Sequence, residues 1–229
     1  MTDNHRSQPL ILIGAGGHAK VLLGLIQSAG LHLLGVCAPE LVEQGVDIWR
    51  GVPVLGAGKD LSIYSPAQVC LVNGVGRRIG DTSRQCVFDQ FKAQGYFFPA
   101  LIHPSTYVDT SAILKEGAQV MAGAVIQADA SIGENVIVNT SANVDHDCVV
   151  EAHVHIAPGA ILCGNVRVCA GAFIAAGATL TQGVSIGKNV VVGAGATIVR
   201  DLFEQQVVLS AAIRHVKPSE LLELDSKNG

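Results

Sequence analysis

The fold of this chain is decided by a repetitive stretch that reads, over residues 136–162, VIVNTSANVDHDCVVEAHVHIAPGAIL. Within this stretch and on both sides of it, every sixth residue is a branched aliphatic, and the series runs through sixteen positions without a gap. These positions are Val108, Leu114, Val120, Ile126, Ile132, Val138, Val144, Val150, Ile156, Leu162, Val168, Ile174, Leu180, Ile186, Val192 and Ile198. Two residues before each of them, from Leu114 onward, stands Ala, Val or Cys.

A period of six fits neither an amphipathic helix nor an alternating strand, and it is typical of a hexapeptide-repeat β-helix. Each repeat supplies a short strand and a turn, and three repeats close one triangular coil of eighteen residues. The aliphatic residue points into the prism, where only a small side chain fits beside it, so that stacked coils bury a continuous core. We therefore predict a β-helix domain over residues 103–201.

Composition limits the classes of partner. The 229 residues suffice for two domains, and only 15% of them are charged, which suggests that much surface is buried on other subunits. The net charge is -4, the pI is about 6.0 and no basic run is present, so we expect no nucleic-acid binding.

The location expected from the sequence is the cytoplasm. The apolar run Leu10–Ile13 is far too short to span a bilayer, so no membrane insertion is expected, and no targeting leader is evident. The six cysteines contain no CxxC pair, which is typical of reduced, packing thiols.

Before the repeats, residues 1–102 alternate strand and helix patterns. The expected elements are strands at Pro9–Ile13, His32–Cys37, Gly51–Val54 (a short edge strand) and Gln68–Val72, and helices at Val21–Ser28 and between an Asp81 N-cap and Gly95. This pattern predicts a small, open, Rossmann-like sheet of parallel strands, with a binding crevice at their carboxyl ends.

The six-residue period is expected to stop at Asp201, and residues 202–229 are predicted to form a cap and tail. In this region Phe203–Val216 is apolar enough to cover the last coil, and Glu220–Leu224 has the pattern of a short amphipathic helix.

A glycine-rich turn, Gly14-x-Gly16-x-x-Ala19, follows the first strand and matches the dinucleotide-binding fingerprint. That chemistry needs a carboxylate about twenty residues later, where this chain reads Cys37-Ala38-Pro39-Glu40. Two other interpretations stay open: backbone amides at the helix N-terminus that hold a single phosphate or pyrophosphate, or glycines that only permit a tight turn. His18 could hydrogen-bond a phosphate or cover the helix end.

Within the repeats, the segment Asn139–Asp147 is chemically unusual. His146 falls two residues after inward-facing Val144, so it is expected at a corner of the prism, pointing outward. The flanking acids Asp145 and Asp147 could orient one ring nitrogen and leave the other free to accept a proton. An exposed turn histidine without a role is the alternative.

The eighteen-residue coil predicts the neighbours of His146. Gly164 stacks on it in the next coil and Gln182 above that, so a missing side chain leaves room for a long, thin ligand along the wall. His155 lies half a coil away, on another side of the prism. If both histidines serve one site, they must come from neighbouring subunits, which predicts a trimer with clefts between prisms.

Zinc is the competing use of these histidines, and we expect no metal. The positions eighteen residues before and after His146 are Ala128 and Gly164, and neither is a ligand.

Four motifs together point to a known family: Gly14–Ala19 after a first strand, His103-Pro104 before the repeats, Asp145–Asp147, and His155–Gly159. In combination they resemble the bacterial sugar acetyltransferases of the sialic acid O-acetyltransferase family, and most of all those that modify a nucleotide-linked 4-amino sugar, as in bacillosamine and perosamine synthesis. The resemblance implies a left-handed β-helix, an exception to the usual right-handed crossover. It also implies a homotrimer, acetyl-CoA as donor, and a nucleotide sugar held by the α/β domain.

The resemblance assigns roles by residue. His146 is similar to the catalytic base and Asp147 to its orienting acid. The positions that match contacts to acetyl-CoA are His155, Gly164, Ala176 and Ala194. The positions that match substrate contacts are Gly14, Gly16, Gly17, His18, Asn73, Gly74, Arg78 and, near the sugar, Asn139.

Two departures from the family leave parts of this assignment open. Cys37-Ala38-Pro39 replaces an acidic pair that contacts the base, so the base is undetermined. The tail Ser210–His215 lacks the Gly-x-Pro-Ala-Lys sequence found beside CoA in many hexapeptide acetyltransferases.

The expected reaction is direct acyl transfer from acetyl-CoA with a histidine base. O-acetylation of a free sugar such as sialic acid is the rival within the fold. A nucleotide-binding scaffold with a decayed prism is the rival outside it.

Overall fold

The computed structural model describes residues 8–210. The N-terminal part of the described chain, from Leu10 to Ala93, forms an α/β unit. Its elements are β1 (Leu10–Ile13), α1 (Gly17–Ser28), β2 (Leu33–Cys37), α2 (Pro39–Glu43), β3 (Ile48–Trp49), β4 (Val52–Gly56), a 3₁₀ turn (Gly58–Ile63), β5 (Cys70–Asn73) and α3 (Ser83–Ala93). The predicted strands and helices are thus present, and their ends lie within a few residues of those expected.

The sheet order is β3-β4-β2-β1-β5, and β4, β2, β1 and β5 are parallel. The prediction that the strand around Pro53 forms the sheet edge was wrong, because β3 pairs with it in antiparallel fashion. The reason is a tight hairpin turn: Arg50 and Gly51 both have positive φ (50° and 81°), as a two-residue hairpin requires. The hairpin buries Trp49.

Helix α3 begins one residue later than the predicted cap implies. Thr82, not Asp81, occupies the N-cap position. Asp81 nevertheless serves the helix start, because its Oδ1 accepts a hydrogen bond from the Ser83 amide at 2.7 Å.

The remaining strands form a three-faced prism, a left-handed parallel β-helix. The first face comprises β7 (Tyr107–Val108), β10 (Val125–Ile126), β13 (Asn143–Val144), β16 (Ile161–Leu162), β19 (Thr179–Leu180) and β22 (Thr197–Ile198). The second face comprises β8 (Ile113–Leu114), β11 (Ser131–Ile132), β14 (Val149–Val150), β17 (Arg167–Val168) and β20 (Ser185–Ile186). The third face comprises β6 (Leu101–Ile102), β9 (Gln119–Val120), β12 (Ile137–Val138), β15 (His155–Ile156), β18 (Phe173–Ile174), β21 (Val191–Val192) and β23 (Val207–Val208).

Neighbouring strands on a face are offset by one coil, so that Ile126 pairs with Val144 and Val144 with Leu162. These aliphatic side chains are fully buried and belong to one continuous core. The eighteen-residue coil predicted from the sequence is confirmed.

The stack continues past Asp201, where the period was expected to stop. Leu202 bridges to Ile186, and Val208 pairs with Val192 in β21. Each of these partners lies sixteen residues back (202 − 186 and 208 − 192) instead of eighteen, so a corner shortened by two residues breaks the count while the stacking goes on. The part of the predicted cap beyond residue 210, including the Glu220–Leu224 helix, lies outside the described residues.

The α/β unit covers the third face of the prism. The outward side chains of that face are buried where the unit sits: Leu101 is 3% exposed, Gln119 2% and Ile137 0%. Leu101, Met121 and Ile137 share one apolar cluster with residues of helix α1. No helix within residues 8–210 is long and apolar enough to cross a membrane.

Candidate active site

His146 lies at the corner between the first and second faces, and its side chain is 51% exposed. Its Nδ1 is 2.7 Å from Asp147 Oδ2, and its backbone amide donates to Asp145 Oδ1 at 2.7 Å. Asp147 adopts a left-handed backbone conformation (φ 58°). The hydrogen bond to Asp147 raises the pKa of His146, and the nearby Asp145 charge adds to that effect, against a smaller opposing effect of burial. An oriented imidazole with Nε2 free can accept a proton from a substrate.

Gly164 sits beside this imidazole on the next coil. A Cβ placed on Gly164 would lie 2.5 Å from both Cε1 and Nε2 of His146. The stacking predicted from the coil length is therefore present, and the imidazole occupies the space that a side chain on Gly164 would need. The Gly164 amide makes no hydrogen bond within residues 8–210, whereas the Asn165 amide donates to the His146 carbonyl at 2.8 Å. The Gly164 N–H therefore has no partner among the described residues, and the residue is buried beside the imidazole.

A second candidate region is a cavity of about 460 Å³ at the carboxyl ends of the parallel strands. Its lining consists of Gly14, Ala15, Gly16, Gly17, His18, Glu40, Gly74, Val75, Gly76, Arg77, Arg78, Asp81 and Ser83. Of the predicted substrate contacts, Asn73 does not line the cavity: it is 1% exposed, and its Oδ1 accepts from the Val75 amide at 3.2 Å.

The cavity has the chemistry of an anion site. Helix α1 starts at the N-cap Gly16 with no side-chain cap, so the partial positive charge of its first turn faces the cavity. A Cβ on Gly16 or Gly17 would meet nothing within 4 Å, so these glycines leave space for a ligand. Arg77 and Arg78 also line the cavity, together with the acidic residues Glu40 and Asp81.

At two positions of the cavity wall, the backbone itself requires glycine. Gly14 has φ +90°, which favours glycine. At Gly74, a Cβ would lie 2.5 Å from the Ile13 carbonyl oxygen, so only glycine allows the loop after β5 to pack on β1.

Sequence reasoning did not assign Glu40 to the site. The acidic pair of the family is missing after β2, but Glu40, in the first turn of α2, lines the cavity, and its Oε1 accepts from the Ala15 amide at 3.3 Å. A carboxylate three residues after the end of a parallel strand was the available signal.

Two arginines, Arg77 and Arg84, make hydrogen bonds around the loop after β5, and the sequence analysis did not predict these contacts. Arg77 donates to the His153 carbonyl at 2.8 Å and to the Gly171 carbonyl. Arg84 is 3% exposed and donates to the carbonyls of Asn73 and Val75, each at 2.8 Å. Burial, and secondarily the Arg77 charge, lowers the pKa of Arg84 to about 9.

His18 contacts the prism. Its Nε2 lies 2.7 Å from Oε1 of Gln119 in β9. Burial lowers the pKa of His18 to about 4, with a further contribution from the Arg84 charge, against the opposing effect of the Gln119 bond. His18 is therefore neutral at pH 7.

His155 and Asn139 lie together on the third face, away from His146. Asn139 Nδ2 is 3.4 Å from His155 Nε2, and the His155 ring stacks on Phe173 at 4.9 Å between centroids. Burial, and then the charges of His18 and Arg84, lowers the pKa of His155 to about 3. Its buried Nδ1 has no hydrogen-bond partner within residues 8–210.

Ala176 and Ala194 are exposed and stacked at the corner between the third and first faces, where the Gly195 amide donates to the Ala176 carbonyl at 2.9 Å. Gly164 lies at the next corner of the prism. The structure therefore does not bring these alanines to the same edge as Gly164 within one chain.

The cavity and the His146 corner are also separate in one chain, because no residue of the corner lines the cavity. All six cysteines lie within residues 8–210 and are thiols that form no disulfide. Within residues 8–210, no group of three His, Cys, Asp or Glu side chains is arranged to hold a metal ion.

Solved structures of other proteins share this architecture. One is the GDP-perosamine N-acetyltransferase of Caulobacter crescentus, a histidine-to-alanine mutant in complex with CoA and GDP-perosamine (34% identity, 88% of this chain and 93% of that chain covered, TM-score 0.81). Another is the acetyltransferase domain of PglB from Neisseria gonorrhoeae FA1090 in complex with acetyl coenzyme A (38% identity, 89% and 97% covered, TM-score 0.81).

WeeI from Acinetobacter baumannii AYE, at 23% identity and a TM-score of 0.76, shares the fold. No protein-family model and no curated protein matches the chain. The identity and coverage shared with the Caulobacter and Neisseria structures are those of one family. This chain is therefore an acyltransferase and belongs to the bacterial sugar N-acetyltransferases of the perosamine and bacillosamine type.

Proposed function

We propose that this protein transfers the acetyl group of acetyl-CoA to the 4-amino group of a nucleotide-linked amino sugar. The observation that carries the proposal is the corner at which His146, held by Asp147 at 2.7 Å, packs directly against Gly164. The Caulobacter relative binds CoA and GDP-perosamine, and the Neisseria domain binds acetyl coenzyme A.

The proposed reaction is direct transfer. As the sugar amine attacks the thioester carbonyl carbon, His146 Nε2 takes its proton, and Asp147 stabilises the imidazolium. Collapse of the tetrahedral intermediate expels the CoA sulfur as the leaving group, which receives the proton from His146. The products are the amide and free CoA thiol. General-base catalysis contributes about 10²–10⁴-fold, so positioning of the two substrates supplies the rest.

The tetrahedral oxyanion needs a hydrogen-bond donor. The Gly164 amide fits this role because it has no partner within residues 8–210 and lies beside the imidazole. His155 is the other candidate for contact with the acetyl group, as the family resemblance implies. Its ring is 7% exposed, and its polar neighbour is Asn139.

The nucleotide sugar is proposed to place its diphosphate at the start of α1, against Gly14, Gly16 and Gly17, with Arg78 at the rim. A free sugar such as sialic acid has no diphosphate to place against the first turn of α1. The cavity therefore favours a nucleotide-linked acceptor.

The active unit is proposed to be a homotrimer, with each site shared between subunits. Within one chain the diphosphate cavity and His146 belong to different regions, and so do Gly164 and the pair Ala176 and Ala194. A neighbouring prism can supply the missing half. The division into residues 1–102, 103–201 and 202–229 stays a proposal. A cytoplasmic location also stays a proposal, and six cysteines without a disulfide among them support it.

The test mixes purified protein with acetyl-CoA and a panel of UDP-, GDP- and dTDP-linked 4-amino sugars, with free sialic acid as the alternative acceptor, and follows thiol release. We expect release with at least one nucleotide-linked amino sugar and identify the product amide by mass spectrometry. Release with sialic acid alone would instead establish O-acetylation of a free sugar. If none of the acceptors causes thiol release but the protein binds nucleotide, the result would favour a scaffold.

A further inference from the structure

Gln119 is the side chain through which the prism contacts both loops of the cavity. It projects outward from β9 and is 2% exposed. Its Nε2 donates to the carbonyl of Asn73 at 3.0 Å, and its Oε1 lies 2.7 Å from Nε2 of His18. Asn73 ends β5, and His18 belongs to the first turn of α1.

These two contacts fix the orientation of the Gln119 amide. The Asn73 carbonyl can only accept, so the NH₂ group of Gln119 must face it. The same carbonyl also accepts from the Arg84 guanidinium at 2.8 Å. The Gln119 oxygen therefore faces His18, and a carbonyl oxygen 2.7 Å from a ring nitrogen requires that nitrogen to carry the proton.

The tautomer of His18 follows from this contact. A neutral imidazole carries one proton, and with that proton on Nε2 the other nitrogen, Nδ1, is an acceptor. Nδ1 has no hydrogen-bond partner within residues 8–210, and it is not among their buried unsatisfied atoms. His18 lines the cavity, so a ligand can reach this lone pair.

We propose that Gln119 is a positioning residue that holds His18 as its Nε2–H tautomer, so that His18 Nδ1 accepts a hydrogen bond from a hydroxyl or amino group of the hexose. The proposal rests on the proposed function and deepens it. This assignment takes the place of the sequence-based interpretation that His18 hydrogen-bonds a phosphate. Phosphate oxygens at pH 7 need a hydrogen-bond donor, whereas Nδ1 of this tautomer is an acceptor.

The position of His18 explains why the hexose is the partner. With the diphosphate at the start of α1, the nucleoside and the hexose extend from it in different directions. Glu40 lines the cavity on the side of β2, whereas His18 lines it on the side where Gln119 of the prism contacts the α/β unit. In the proposed trimer, the His146 corner of the neighbouring subunit approaches the cavity from the side of this chain's prism, so the proposal places the hexose on the prism side.

The neutral state of His18 supports this assignment, because the low pKa of about 4 keeps the second proton off Nδ1. The buried Arg84 charge contributes to that effect. An added proton would turn Nδ1 from acceptor into donor.

The first test reads the tautomer in the full-length protein. ¹⁵N NMR of histidine-labelled protein at pH 7, with the His18 signals assigned by comparison with His18→Gln, reports which nitrogen is protonated. We expect Nε2–H with a bare Nδ1, and loss of that single tautomer in Gln119→Met. A bare Nε2, or an imidazolium, would overturn the proposal whether or not any sugar is a substrate.

The second test uses two isosteric changes at His18. Gln places its amide near the Nε2 position and keeps the link to Gln119, but it offers no acceptor at Nδ1. Asn places its amide near the Nδ1 position. By calorimetry, we expect His18→Gln to bind GDP-perosamine, or the UDP-linked amino sugar that the panel selects, about tenfold more weakly, which is one lost hydrogen bond.

Binding of the matching nucleoside diphosphate, which lacks the hexose, distinguishes a hexose contact of His18 from a phosphate contact. We expect its affinity for His18→Gln to equal that for the wild-type protein, and we expect His18→Asn to retain more sugar-nucleotide affinity than His18→Gln. Equal weakening of the diphosphate and the sugar nucleotide would make His18 a phosphate contact and contradict the proposal. Failure of the proposed function would appear separately, as absence of thiol release in the wild-type protein.

Discussion

Gly164 lies directly beside His146, and a Cβ on Gly164 would come within 2.5 Å of the imidazole Cε1 and Nε2 atoms. Such a distance is far below van der Waals contact, so any side chain at Gly164 must displace the ring or fill the approach to Nε2. The next coil of the repeat thus leaves room for the imidazole of the proposed base.

Gly164→Ala should lower turnover by about 10²-fold or more, because a displaced base loses its contribution to catalysis. The melting temperature should change little, because the clash is with a half-exposed ring. Gly24→Ala is the matched control: a Cβ there meets nothing within 4 Å, in the middle of α1, and activity should persist. Normal turnover in Gly164→Ala would show that the packing of His146 on Gly164 is not needed for catalysis.

Asp147→Asn should shift the pH dependence of kcat/KM. His146 must be neutral to act as a base, so activity should rise with pH as the ring loses its proton. The bond to Asp147 raises the pKa of His146, and its loss should move the acid limb to lower pH while the rate plateau falls. An acid limb that keeps its midpoint in Asp147→Asn would assign that limb to another group.

Acid should destabilise the interface between the α/β unit and the prism. Folding lowers the pKa to about 4 for His18 and about 3 for His155, below the ordinary value of 6.5. Between pH 6.5 and 4 the unfolded chain therefore binds protons that the folded chain excludes, and the free energy of unfolding falls as the pH falls. Above pH 7 these two groups contribute no slope.

Calorimetric melting between pH 7.5 and 4.5 checks this slope. His155→Phe, which keeps a ring against Phe173, should lose less stability between pH 6.5 and 5 than the wild-type protein. His146→Ala serves as the control: because the pKa of that ring is raised, its removal should not reduce the loss of stability in acid. Identical pH slopes in His155→Phe and the wild-type protein would contradict the assignment.

Mixed trimers should recover activity from two inactive variants. His146→Ala lacks the base, and Arg78→Glu places a negative charge in the diphosphate cavity. If one chain supplies His146 and a neighbour supplies the cavity, subunit exchange creates sites in which both parts are intact. We expect much faster thiol release after exchange than from either variant alone. Absence of recovery in confirmed mixed trimers would place both parts in one chain.

The sequence predicted the prism well because its period is local. A residue count of eighteen placed Gly164 beside His146 and put His155 on another face, and the structure agrees on both points. The count failed only after Ile198, where a corner shortened by two residues shifts Leu202 out of the period without ending the stack.

The contacts between the α/β unit and the prism could not be read in the same way. Gln119 and His18 lie 101 residues apart in sequence, and no local pattern links them. Arg84 has the spacing of an ordinary helix residue, yet the fold buries it against carbonyls of the loop after β5. Such contacts depend on how two units dock, which periodicity does not encode.

The central claim, that His146 is the base of an acetyl transfer, is tested most directly by thiol release from acetyl-CoA with the nucleotide amino sugar that the panel selects. We expect His146→Ala to reduce turnover by about 10²-fold or more while acetyl-CoA binding stays nearly unchanged. Near-normal turnover in His146→Ala would contradict the account.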